Sequence, residues 1–110
     1  MKIVAINGSP KGHDGATAWV LEHFINGVEE AGHSVEVITL AGKRVHHCIG
    51  DFSCWLKTPG KCIFQDDMGQ ILTSIMSADS IVIATPVYVD GMTGLLKNAR
   101  PPFADGRPAF

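Results

Sequence analysis

The chain has 110 residues and a net charge of -2, from nine basic and eleven acidic side chains, a balance that offers no electrostatic footprint for nucleic acid or an anionic membrane. That length suits one small domain spanning residues 1–110, able to bury a core without disulfides, and three cysteines, an odd number, argue against a disulfide framework. The apolar run at the start is only four residues long before a Gly-Ser-Pro turn, too short for a signal-peptide core or a membrane span, so a cytoplasmic location is expected.

"KIVAIN" is a nearly continuous apolar run, the pattern of a strand covered on both faces in a parallel sheet. From Thr17 the apolar positions Ala18, Leu21, Ile25 and Val28 repeat at helical spacing as far as Gly32, which suits a left-handed C-terminal cap; Trp19 falls off this face. "SVEVITL", Ser34 to Leu40, alternates and then becomes apolar, as an edge strand does. Asp66 and Asp67 can cap a second helix, on which Met68, Ile71, Leu72, Ile75 and Met76 form one stripe. "SIVIATP", Ser80 to Pro86, reads as a further buried parallel strand, and Thr93 to Arg100 as a short helix stopped by Pro101 and Pro102. Alternating strands and helices predict an α/β doubly wound sheet.

The loop within "INGSPKGHDGAT", Ile6 to Thr17, lies where such sheets bind ligands, at the carboxyl end of the first strand and before a helix N-terminus. Its hydroxyls at Ser9 and Thr17, with N–H groups from Lys11 to Ala18, suit a phosphate; the structural alternative is an ordinary turn with Thr17 as N-cap. Gly8, Gly12 and Gly15 match neither the Walker pattern nor the G-x-G-x-x-G fingerprint, and no cysteine is present for a phosphocysteine mechanism. What remains is a loop that holds a terminal phosphate monoester without reacting with it. His13 and Asp14, adjacent in this loop, read as solvated residues and not as an acid–base pair. If the strand order is 2-1-3, the loop "TPVYVDGMTGLLK" after the third strand adjoins the first. Pro86, Val87 and Tyr88 then offer a rigid backbone, an apolar contact and an aromatic face to a flat heteroaromatic ring, with Gly91 permitting close approach.

"GSPKGHDGAT", "CIGDFSCWLKTPGKCIFQDDM", "ADSIVIATPVY" and "TGLLKN", in this order and spacing, resemble the NAD(P)H-dependent FMN reductase-like flavoproteins of the flavodoxin-like superfamily, in particular the branch that includes iron–sulfur flavoproteins. The resemblance runs from Lys2 to Asn98. It implies a flavodoxin-like fold and FMN, with the phosphate on Ser9, Lys11, Gly15, Ala16 and Thr17 and the isoalloxazine along Pro86, Val87, Tyr88 and Gly91. It further implies NAD(P)H as co-substrate, hydride passing to the flavin and on to a small-molecule or protein acceptor such as a quinone or free flavin, with backbone N–H groups of Val87 to Asp90 stabilising charge on the reduced ring. No side chain is needed as nucleophile or general base. Two readings compete: a flavodoxin-type electron carrier without its own NAD(P)H site, which the near-neutral charge disfavours, and a non-catalytic assembly module.

The chain departs from the family in three places. Ala16 stands where members often carry Asn. Asp51 occupies the second thiolate place of the cluster motif, Cys48-x2-Asp51-x2-Cys54-x7-Cys62, so an iron–sulfur cluster is not expected, and the spacing of His46 and His47 from these cysteines does not suit zinc either. Family members also continue through two more parallel strands, whereas "ARPPFADGRPAF" ends on "GRPAF", which resembles the start of a fourth strand. The third strand would then present an apolar edge, and a homo-oligomer is expected to cover it, with Trp19, Trp55 or Phe103 in the contact, unless the chain is a truncated product.

Overall fold

The computed structural model describes residues 1–58, 61–99, 103–104 and 107–108. Strand β1, Lys2–Asn7, leads through a 3₁₀ turn at Gly12–Asp14 into helix α1, Ala16–Glu30, and strand β2, Ser34–Thr39. One helical turn not expected from the sequence, α2 at Ser53–Leu56, precedes α3 (Met68–Met76), β3 (Ser80–Ala84) and α4 (Gly94–Asn98). The strands form a parallel sheet in the expected order β2-β1-β3, with Ala5 in register with Val37 on one side and Val82 on the other.

Beyond α4, β4 (Phe103–Ala104) and β5 (Arg107–Pro108) pair antiparallel in a separate ladder. The described part of "GRPAF" is therefore not a fourth parallel strand. Ala109 and Phe110, like Arg100, Pro101 and Pro102 of the expected helix end, lie outside the described residues.

β1 is the buried axis of the sheet. Val4 and Ile6 pack with Ile38, Leu40, Met68, Ile71, Ile75 and Leu96, so by alternation Ile3 and Ala5 face α1, where Leu21 is buried. The stripe expected on α1 is the observed one: Ala18, Ile25 and Val28 are half-buried beside Leu21, while Trp19 is 63% exposed. The helix ends at a left-handed Gly32 (φ 90°), whose N–H donates to the Glu29 carbonyl at 3.0 Å while that of His33 donates to Val28 at 3.3 Å, a Schellman closure.

On α3, Met68, Ile71 and Ile75 are buried and Leu72 half-buried, but Met76 is 61% exposed at the last turn. Asp66 and Asp67 do more than begin this helix. Asp66 accepts the Met68 N–H at 3.0 Å and the His46 N–H at 2.7 Å, and Asp67 accepts the Arg44 N–H at 2.6 Å. The two carboxylates thus clamp the segment after β2 onto the start of α3. β3 is less buried than its composition suggests, with Ile83 58% exposed, because its far edge is unpaired among the described residues. Trp19 lines a cleft with Val37 and Thr39 of β2, so it sits on the side of the sheet opposite that edge. The side chains of Trp55 and Phe103 lie outside the description.

Truncating Ile71, which is 3% exposed, to Ala is expected to cost about 2–5 kcal/mol in urea unfolding, whereas Met76→Ala stays within about 0.5 kcal/mol. Equal losses at both positions would contradict this packing.

Candidate functional site

The first loop is built from its interior outward. Asn7, at the end of β1 and fully buried, accepts the Ser9 N–H on its Oδ1 at 2.9 Å and donates from Nδ2 to the Gly12 carbonyl at 3.2 Å. Ser9, also buried, uses its carbonyl to accept the Gly12 N–H at 3.1 Å and its Oγ to accept the Lys11 N–H at 3.3 Å. The hydroxyl proton of Ser9 remains available. Gly12 takes a left-handed conformation (φ 60°) beside Ala41, a turn that favours glycine.

Gly15, not Thr17, is the N-cap of α1, and it makes no side-chain cap. Thr17 lies in the first helical turn, so capping does not account for its hydroxyl. The first helix-closing bond runs from the Trp19 N–H to the Gly15 carbonyl at 3.3 Å, which leaves the N–H groups of Ala16, Thr17 and Ala18 without a partner among the described residues. These are the orphan donors that a helix N-terminus turns toward an anion. A Cβ on Gly15 would lie 3.0 Å from Lys11 Cβ and 3.4 Å from Ser9 Oγ, so the absence of a side chain keeps the cradle open. The five first-loop candidates, Ser9, Lys11, Gly15, Ala16 and Thr17, therefore surround one helix start, and the donors suit the phosphate of FMN.

The second loop is joined to the first at Gly8. The Gly8 N–H donates to the Ala84 carbonyl at 2.8 Å, and its carbonyl accepts from Thr93 Oγ1 at 2.7 Å. Thr93, 1% exposed, also caps α4 by accepting the Leu96 N–H at 3.1 Å. A Cβ on Gly8 would lie 3.0 Å from Leu96 Cβ, so a side chain at this junction would press on α4. Between Ala84 and Thr93 the chain forms a narrow projection. Tyr88 and Gly91 exchange hydrogen bonds of 2.9 and 3.1 Å across a two-residue turn in which Val89 (φ 49°) and Asp90 (φ 58°) are both left-handed. Pro86 is half-buried, while Val87, Tyr88 and Gly91 are exposed. The N–H groups of Val87, Val89 and Asp90 are open among the described residues, but that of Tyr88 is occupied within the turn, which narrows the expected donor set.

Asn7 and Thr93 organise this site and were not among the residues singled out from the sequence. A polar residue closing an apolar strand directly before Gly-Ser was a usable signal for Asn7; Thr93 had only its place before a short helix. His13 and Asp14 are both exposed, as expected. A cleft of about 510 Å³ between α1 and β2 includes Asp14 and Gly15 of the first loop but no residue of the second, so it is separate from the junction at Gly8.

Cys48 and Cys62 are exposed and Cys54 is half-buried. Among the described residues no three His, Cys, Asp or Glu side chains converge as a metal site. Three thiols with Asp51 do not fit a four-thiolate cluster, and no step is assigned to one.

Removing the Thr93 hydroxyl tests the junction. Thr93→Val leaves the Gly8 carbonyl and Leu96 N–H buried and unpaired, an expected loss of about 2–3 kcal/mol in urea unfolding, while Thr93→Ser keeps the bonds and most of the stability. Equal losses in the two variants would show that the methyl group, not the hydroxyl, matters.

Residues 1–100 match the family described as NADPH-dependent FMN reductase. The chain is 40% identical over 98 residues to an iron–sulfur flavoprotein of Archaeoglobus fulgidus, covering 89% of this chain and 46% of the relative. An iron–sulfur flavoprotein of Methanocaldococcus jannaschii is 38% identical over 97 residues, covering 88% and 49%. The chain thus spans about half the length of these relatives. The fold is also that of a solved NAD(P)H:quinone oxidoreductase from Methanothermobacter marburgensis, with a TM-score of 0.73 at 22% identity over 89% of this chain and 50% of the other. With its 2-1-3 parallel sheet and two joined loops at the carboxyl edge, the chain is flavodoxin-like and belongs to the NADPH-dependent FMN reductase family.

Proposed function

We propose that the chain forms the FMN-binding part of an oxidoreductase that draws hydride from NAD(P)H and delivers electrons to an acceptor such as a quinone or free flavin. The observation that carries this reading is the pair of hydrogen bonds at Gly8, which ties the first loop, with its open helix N-terminus, to the segment that bears the projection after β3. Bound FMN supplies the hydride and electron chemistry. The chain's own part is positional. The N–H groups of Ala16, Thr17 and Ala18, with the hydroxyls of Ser9 and Thr17 and the ammonium of Lys11, hold the phosphate. Pro86, Val87 and Tyr88 would carry the ring, Gly91 closes the turn that presents them, and the open N–H groups of Val87, Val89 and Asp90 would be donors for negative charge on the reduced ring. No proton transfer is assigned to a side chain. The edge of β3, unpaired among the described residues and with Ile83 exposed on it, supports a homo-oligomer in which a second copy covers this strand.

After incubation with FMN and removal of the free cofactor, the protein is expected to keep the visible flavin absorption at about one FMN per chain, the stoichiometry of a single switch-point site. Gly15→Val is expected to weaken retention about tenfold or more, since side-chain atoms would fill the cradle. A colourless wild-type protein would overturn the reading. In the retained complex, anaerobic NADPH should bleach the flavin in a single turnover; flavin that bleaches only with a chemical reductant would identify a carrier instead. Light scattering is expected to give a multiple of 11.8 kDa, and a well-folded monomer at micromolar concentration would remove the second-copy proposal.

A further inference from the structure

The cleft between α1 and β2, of about 510 Å³, is in the size range of small-molecule sites. It lies on the opposite edge of the sheet from the second loop. Ala18, Leu21 and Ile25 of α1 and Val37 of β2 give it apolar walls. Trp19 lines the same cleft yet is 63% exposed, so its indole sits at the rim. That ring has a fixed neighbour: the His23 imidazole packs against it at a centroid separation of 4.5 Å and 50°, and His23 Nδ1 bonds the Trp19 carbonyl at 2.8 Å.

The charged side chains on the lining are both carboxylates. Asp14 and Glu22 are exposed, and neither pairs with a Lys or Arg among the described residues. No Lys or Arg lines the cleft; His13 is its other titratable residue. Lys2, on the adjoining strand, is held elsewhere, by Glu36 at 3.6 Å and by Ser77 after α3 at 2.9 Å. The stem of Lys11 lies against Gly15, where α1 begins. Lys11 and the helix dipole, equivalent to about half a unit charge, do not together cancel two carboxylates. The cleft is therefore apolar and negative, with an indole at its rim. A positively charged flat ring meets all three features: its face lies on the indole, whose quadrupole attracts the charge, and the carboxylates balance that charge. The same carboxylates repel a ligand that bears phosphate, which distinguishes this cleft from the cradle at the start of α1.

We infer that this cleft binds a flat aromatic cation without a phosphate group, its ring on Trp19 and its charge toward Asp14 and Glu22. The site uses no flavin, so it stands apart from the function proposed above.

Calorimetric titration of the full chain with N-methylquinolinium, near neutral pH and at low salt, tests this. One cation per chain is expected. Quinoline, nearly the same ring without the charge, should bind about tenfold more weakly or worse, and Trp19→Leu should weaken the cation about fivefold. Asp14→Asn combined with Glu22→Gln should weaken it about tenfold. The three side chains are exposed, and circular dichroism checks that the variants are folded. Absence of binding to the wild type, equal affinity for quinoline, or an affinity unchanged by either set of substitutions would overturn the assignment. Protein loaded with FMN and freed of excess should still take one cation per chain; loss of the flavin on titration would place the cation in the flavin site and overturn the assignment too. Cation binding with this dependence in a chain that retains no FMN would leave the cleft standing and remove the flavin reading.

Discussion

Gly8, the residue after β1, has no side chain, and both of its backbone polar groups bond to distant segments: one to Ala84 at the end of β3, the other to the Thr93 hydroxyl at the start of α4. The rest of the carboxyl edge depends on this constraint. Because the Thr93 hydroxyl that caps α4 also holds the Gly8 carbonyl, the helix after the second loop is held to the strand before the first. Buried backbone groups need partners, and here the partner is a side chain 85 residues away, so a local chemical requirement becomes a long-range link between two loops.

Much of the frame was legible in the sequence because burial follows period. Ala18, Leu21, Ile25 and Val28 repeat with the helix, and they are the shielded positions of α1. Gly32 marked the helix end because the Schellman closure needs a left-handed residue. The alternation of strands and helices pointed to a doubly wound sheet, and the order 2-1-3, on which the placement of the second loop was conditional, is the one observed. The details of the site were less legible, because they rest on side chains whose partners are distant in sequence. Asn7 resembles any polar residue that ends a strand, and only the folded loop shows it binding Ser9 and Gly12. Thr17 has the composition of an N-cap, yet extended Gly15 takes that place (ψ 170°). Asp66 and Asp67 read as helix starters, and their bonds to Arg44 and His46 depend on where the segment after β2 runs.

The comparison with longer relatives separates what is shared from what differs. The three parallel strands and the two loops that follow β1 and β3 belong to a chain that spans about half of those relatives. In the cysteine segment Asp51 is a hard oxygen donor where the expected cluster motif has a thiolate, and the three thiols beside it do not converge with other ligands among the described residues. At the flanks of that segment, the aspartates ahead of α3 hold the backbone of Arg44 and His46.

The turn at Val89 and Asp90 links ligand binding to stability. Two consecutive left-handed residues suit Asn-Gly, whereas a β-branched valine there stores about 1–3 kcal/mol of strain. Val89 is fully exposed, at 102%, so no packing within the chain offsets that strain. A bound ring or a neighbouring chain that shields its isopropyl group would recover part of the cost through apolar burial. The free projection is therefore a tensed element, and its melting would depend on how much ligand is present, while the buried strand behind it would be indifferent.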